Sequence, residues 1–216
     1  MNPRYEDWLR HIFDHEVKEP QWYFGEDAPA FEASDEEIPE LLGQTFLHAG
    51  KDLKEYTDEQ VDQGIWYLAS SSGSNFMFAL KSSEVPLAKR VVAIGNIFYL
   101  YSDCFAKRCT ESLGHLSEKG SPLNSSCYMF WDISPLTFMK GASEIQEIQN
   151  TILDVLQKIL TIKHRACRES ALHGLSELKF ACFEKVRKII DEFLKDAKLD
   201  DKLLAYATNA RDGNVL

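Results

Sequence analysis

The sequence has no C-x-x-C pair, no glycine-rich phosphate loop and no H-E-x-x-H zinc helix. Each absence closes a class of chemistry. The five cysteines, Cys104, Cys109, Cys127, Cys167 and Cys182, are odd in number and stand mostly among apolar residues. They read as small buried hydrophobes of a reducing compartment, not as a disulfide framework. Without GxxxxGK[ST], or a GxGxxG after a strand, there is no cradle for nucleotide phosphates. Glycine and proline are few, 11 and 7, so little of the chain has the composition of disorder. The longest apolar-rich run, Val91 to Tyr101, is too short to span a bilayer and holds Asn96. The opening MNPRYEDWLRHIF carries Glu6 and Asp7 with no unbroken apolar core, unlike a secretory signal. A cytoplasmic, non-membrane protein is expected.

Positive charge is also in short supply. The net charge of −10 argues against a protein that works by neutralising nucleic-acid phosphates. The deficit is local: residues 1–62 hold 17 acids against 5 bases, and residues 63–216 hold 17 against 19. The first third of the chain therefore carries a negative field able to steer a basic partner. Asp35, Glu36, Glu37 and Glu40, with Glu55, Asp58, Glu59 and Asp62, are the candidate partner-binding residues. Acids at a helix start also serve the helix dipole, and their excess over that need is what leaves room for a ligand. A basic face gripping nucleic acid would require Lys89, Arg90, Lys107, Arg108, Lys163 and Arg165 to cluster.

What is present is helical periodicity. In ASEIQEIQNTILDVLQKILTIK the apolar residues Ile145, Ile148, Ile152, Val155, Leu156 and Ile159 recur at spacings of three and four. Ser143 with Gln146 reads as its capping box. FEKVRKIIDEFLKD turns Phe183, Val186, Ile189, Ile190, Phe193 and Leu194 inward. TDEQVDQGIWYLAS opens with a second capping box, Thr57 to Gln60, and Phe76 to Leu80 form a short buried helix after the SSSGSN loop. Pro86 to Leu113 is apolar on most sides and belongs at the centre. A helix up to Ile133 and a second, short one beyond Pro135 are expected in CYMFWDISPLTFM. At the N-terminus a helix over Tyr5–Val17 precedes a loop pinned by Trp22, Tyr23 and Phe24, and the terminal ATNARDGNVL is expected to fray. The turn-rich segment 113–126 is the candidate boundary within one domain spanning residues 1–216. The fold class is all-α, antiparallel helical hairpins forming a HEAT-like α-solenoid or a compact helical bundle. Gly64 and Gly174 both fall inside helices, where glycine costs about 1 kcal/mol against alanine and is tolerated when a neighbour must come close.

HRACRESALHGL, residues 164–175, holds every residue type that nucleophilic or metal chemistry uses. As a helix it places Ala166, Ser170 and Gly174 in a small-residue groove and lets Arg165 pair with Glu169. Ser170 and His173 lack an orienting acid and an oxyanion nest, so a close-packed seam is the better reading. His164 with Cys167 lacks a second ligand pair, and His11 with His15 lacks the zinc-helix glutamate. No metal or cofactor is expected. Asp132, beside Trp131 and Tyr128, reads as an acid at an aromatic helix end packed in the core.

YTDEQVDQGIWYLAS, then a long helix ending FAKRCTE, then CRESALHGLSEL before a terminal amphipathic helix, resemble bacterial helical proteins of uncharacterised function with HEAT-like folds. The resemblance covers roughly residues 50–195, implies a fold, and carries over no catalytic residue. Two functional expectations follow. The first is a non-enzymatic interaction protein, in one form an immunity or antitoxin-like inhibitor of a basic toxin, binding through its acidic third. The second is a metal-dependent or nucleophilic hydrolase on a His-bearing face, either His11 and His15 with Asp14 or the Cys167 and His173 helix. They separate on whether those side chains converge with other titratable groups.

Overall fold

Three of the helices start at a side-chain cap. In the computed structural model, which describes residues 2–138, 144–195 and 199–215, Asn2 accepts from the Arg4 N–H at 3.0 Å and opens α1 (Pro3–Phe13). α1 ends four residues short of the expected Val17, and the reason is chemical. The apolar pattern breaks at Asp14, and the carbonyls of His15 and Glu16 are taken by Gln60 and Gln63 of a later helix. α2 (Ile38–Leu47) and α3 (Ala49–Asp52) follow the N-terminal loop, in which Trp22 is buried. The expected capping box is formed: Thr57 Oγ1 accepts from Gln60 N at 3.2 Å and Gln60 Oε1 from Thr57 N at 3.1 Å, starting α4 (Asp58–Ala69).

The short buried helix at Phe76–Leu80 is a 3-10 turn. α5 (Leu87–Tyr99) then runs through a π-helical turn, Leu100–Phe105, into α6 (Ala106–Arg108). α7 (Asn124–Ile133), α8 (Ile145–Leu160), α9 (Arg165–Glu177), α10 (Lys179–Phe193) and α11 (Asp201–Asp212) complete the chain. Among the described residues there is no strand.

Three local expectations are corrected. Residues 134–138 form a turn and not a second short helix, because Pro135 stops the ladder and the Leu136 N–H is taken by Ser134 Oγ at 3.2 Å. The terminal stretch is helical through Asp212. Asp200 caps α11 through Leu203 N, Gly213 ends it with φ 69°, and Ala207 and Ala210 are buried. Phe183 turns outward at 44% exposure, directly after the non-helical Cys182 at which α10 kinks. The Ser143 capping box lies outside the described residues.

Two rows of helices carry the architecture. α1 packs on α4, α4 on α7, α7 on α9 and α9 on α11; in the second row α2 packs on α5 and α5 on α8. The rows meet where α8 lies on α9. One hydrophobic cluster runs from Tyr5 to Ala210, so the 113–126 segment does not divide the core. Instead, Glu169 of α9 holds its backbone at Gly114 and His115.

Candidate functional site

The eight acids proposed from sequence fall into three groups. Four are ion-paired within the chain. Glu37 takes Arg4 at 2.7 Å, Lys89 bonds Glu40 at 2.8 Å and lies 4.0 Å from Glu36, and Arg108 Nε donates to Asp58 at 2.7 Å. These pairs join α1 and α5 to the start of α2, and α6 to the start of α4. Asp35, Glu55 and Glu59 stay exposed and, among the described residues, outside such pairs. The eight therefore do not form one uniform patch. Exposed acid is densest in the loop between α1 and α2, where Asp14, Glu16, Glu19, Glu26, Asp27, Glu32, Asp35 and Glu36 all reach solvent against a single base of that loop, Lys18. Phe24, 53% exposed, projects from the middle of that run.

Asp62 differs from the rest. It faces α7, accepting from the Ser126 N–H at 3.1 Å and from the Ser126 hydroxyl. This serves one of the amide donors that a helix start leaves without a partner. Burial pushes its carboxyl up to about 6, the Ser126 bonds hold it back, and Glu59 adds to the rise. A raised carboxyl favours the folded state when protonated, so this contribution is present below the unfolded value of about 3.9 and is lost as pH climbs through 6. Wild-type protein is expected to lose about 1–2 kcal/mol relative to Asp62→Asn between pH 4 and pH 7. Urea titrations of both proteins across that range check it, and parallel pH profiles refute it. Asp62 also lines a depression of about 390 Å³ with Gln21, Tyr23, Phe24, Gln63 and Trp66.

Five of the six basic residues that a nucleic-acid face would need are paired with acids, and the sixth, Lys163, is exposed. Lys89 pairs with Glu40, buried Arg90 with Glu144, Lys107 with Asp103, Arg108 with Asp58 and Arg165 with Asp200. Arg165 thus leaves Glu169, its expected partner, because Glu169 is turned inward and fully buried.

His11 and His15 do not converge on a ligand position. His15 Nε2 donates to the His11 carbonyl at 2.7 Å while its ring stacks on Trp22 at 3.7 Å. His11 Nε2 meets Tyr67 Oη at 3.1 Å, and burial, with His15 nearby, lowers its imidazole to about 4. Both rings belong to an aromatic wall with Trp22, Phe31 and Tyr67. At the start of α9, His164 Nε2 contacts the Cys109 carbonyl at 3.1 Å, and the Cys167 thiol is pulled down by Cys127 and His164. All five cysteines are free, and only Cys109 is half-buried.

The seam expected in HRACRESALHGL is present. Ser170 Oγ donates to the Cys127 carbonyl and shares a 2.8 Å bond with Tyr101, so it is not paired with His173. His173 faces the other way. Its Nδ1 lies 2.9 Å from Tyr206 Oη, Tyr206 stacks on His115 at 4.3 Å, and His115 Nδ1 pairs with buried Glu169. Glu169 also accepts from Gly114 N at 2.7 Å and His115 N at 3.0 Å. The other face of His173 meets Asp132, at 3.9 Å, and Glu177. Sequence reasoning weighed Asp132 and His173 separately and missed Glu177, His115 and Tyr206. The available signal was the i, i+4 spacing of His173 and Glu177, which puts both on one helix face; no spacing announced Tyr206, two helices further on.

The class that this fold defines is an all-α protein of two packed helix rows, and no helix among the described residues is long and apolar enough to cross a membrane. No protein-family model, curated protein or solved structure matches the chain.

Proposed function

We propose that the protein is a non-enzymatic interaction module of HEAT-like type that binds a basic partner protein through its acidic N-terminal third. The observation that carries this reading is the α1–α2 loop: eight exposed acids face one lysine, around an exposed Phe24. Such a field accelerates encounter and sets register, while an aromatic anchor supplies affinity. A lysine or arginine of the partner entering the depression beside Phe24 meets the Asp62 carboxyl between Tyr23 and Trp66, whose rings add cation–π attraction. Two helix rows support the HEAT-like assignment, and five free cysteines support a reducing, cytoplasmic setting. An immunity-type inhibitor of a basic toxin is one concrete form.

Glu26→Lys, Asp27→Lys and Asp35→Lys together reverse the loop without touching an internal ion pair. Affinity capture from the source cell, at low and high salt, is run with wild-type and reversed protein. A basic partner held by wild type, released by salt and weakened at least about tenfold by reversal is expected. No captured partner, or equal capture by both forms, overturns the proposal.

A further inference from the structure

The geometry points to a divalent transition-metal site formed by Asp132 of α7 with His173 and Glu177 of α9. One nitrogen and two carboxylate groups converge there, with potential ligand atoms all within 4.8 Å of one another. His173 is 4% exposed, and among the described residues its Nε2 has no hydrogen-bond partner although it is aimed at the two acids. An imidazole nitrogen buried without a partner costs free energy unless something else satisfies it. Asp132 Oδ1, at 3.9 Å, is too far to serve as a hydrogen-bond acceptor. The gap is nevertheless within reach of two ligands on one ion, since metal–ligand bonds near 2.1 Å allow a separation up to about 4.2 Å. Glu177 comes from a half-buried position one helical turn beyond His173 and needs only a small side-chain adjustment to close the set.

The surroundings suit a ligating histidine. For Nε2 to present its lone pair, Nδ1 must carry the proton and donate to Tyr206 Oη at 2.9 Å. Tyr206 accepts that bond while its own hydroxyl lies 3.4 Å from Tyr128 Oη, and burial holds its phenol protonated. Its ring is clamped against His115, which Glu169 fixes in turn. The tautomer and ring orientation of His173 are thereby set by a chain of three side chains. Two carboxylates balance a dication, and the mixed N,O donor set suits zinc or manganese better than calcium or magnesium, which take oxygen alone. Asp132 is 42% exposed on its side chain, so an ion here keeps one side open to water. Three protein ligands and an open position distinguish this arrangement from a closed structural zinc site.

The full-length chain, stripped with chelator, is titrated with Zn²⁺ by calorimetry and with Co²⁺ by absorption. One ion per chain is expected, with weak visible d–d bands and no intense near-ultraviolet thiolate band. Asp132→Asn and Glu177→Gln, each shown to keep its thermal midpoint in chelator, should weaken binding by at least about tenfold. His11→Asn with His15→Asn should leave binding unchanged. Absence of stoichiometric binding, unchanged affinity in both carboxylate variants, or a thiolate band from the Cys109, Cys127 and Cys167 group each overturns the assignment.

Discussion

Glu169→Ala is expected to destabilise the protein by about 2–4 kcal/mol, since a buried carboxylate that serves three part-buried donors is removed. Glu169 is 0% exposed and is the common acceptor for two backbone N–H groups and the His115 ring. Truncation strands all three donors at once and leaves a void between α9 and the 113–118 segment. Glu169→Gln separates hydrogen bonding from packing. Its oxygen can still serve His115, but its amide nitrogen then faces the Gly114 N–H, donor against donor. About 1–3 kcal/mol should be lost there. Urea denaturation followed by circular dichroism gives both values, and hydrogen exchange at Gly114 and His115 should accelerate selectively in the glutamine variant. A loss below about 1 kcal/mol for the alanine variant would show that the loop is held by something else.

The same residue shows where sequence reasoning stops. Periodicity located α4, α8, α9 and the seam at Ser170, because a helix buries its apolar stripe and the stripe is written at spacings of three and four. Glu169 sits one position before Ser170, and its i−4 neighbour Arg165 invited a surface pair. Its true partners lie more than fifty residues earlier in a turn-rich loop, and a long-range pairing leaves no local trace. The acidic surface shows the same limit. Charge counts placed the acidity in the first third, but not which acids Arg4, Lys89 and Arg108 would neutralise. Asp132 was legible as an acid among aromatics and His173 as a histidine on a helix. Their convergence required α7 to lie on α9, which composition cannot state.

Gly64→Ala should destabilise the fold although the same change elsewhere in a helix stabilises it. Alanine is favoured over glycine in helix interiors by about 1 kcal/mol, so propensity alone predicts a gain. At Gly64 a β-carbon would lie 2.3 Å from Phe13 Cδ1 and 3.0 Å from the Ile12 carbonyl. Phe13 is fully buried and has nowhere to retreat, so α1 must lift from α4 at a cost of about 1–3 kcal/mol. The close approach inferred from a glycine inside an amphipathic helix is thus a backbone of α1 pressed on α4. At Gly174, the second such glycine, the neighbour is the Trp131 ring at 2.7 Å. Gly95 supplies the control, since a β-carbon there meets nothing within 4 Å. Gly95→Ala should raise stability by up to about 1 kcal/mol while Gly64→Ala lowers it, two opposite shifts of the urea midpoint from one chemical change. Shifts of the same sign would mean that α1 does not seat on α4 at Gly64. The loop that follows α1, with its acids and Phe24, would then lose the anchor that positions it for a partner.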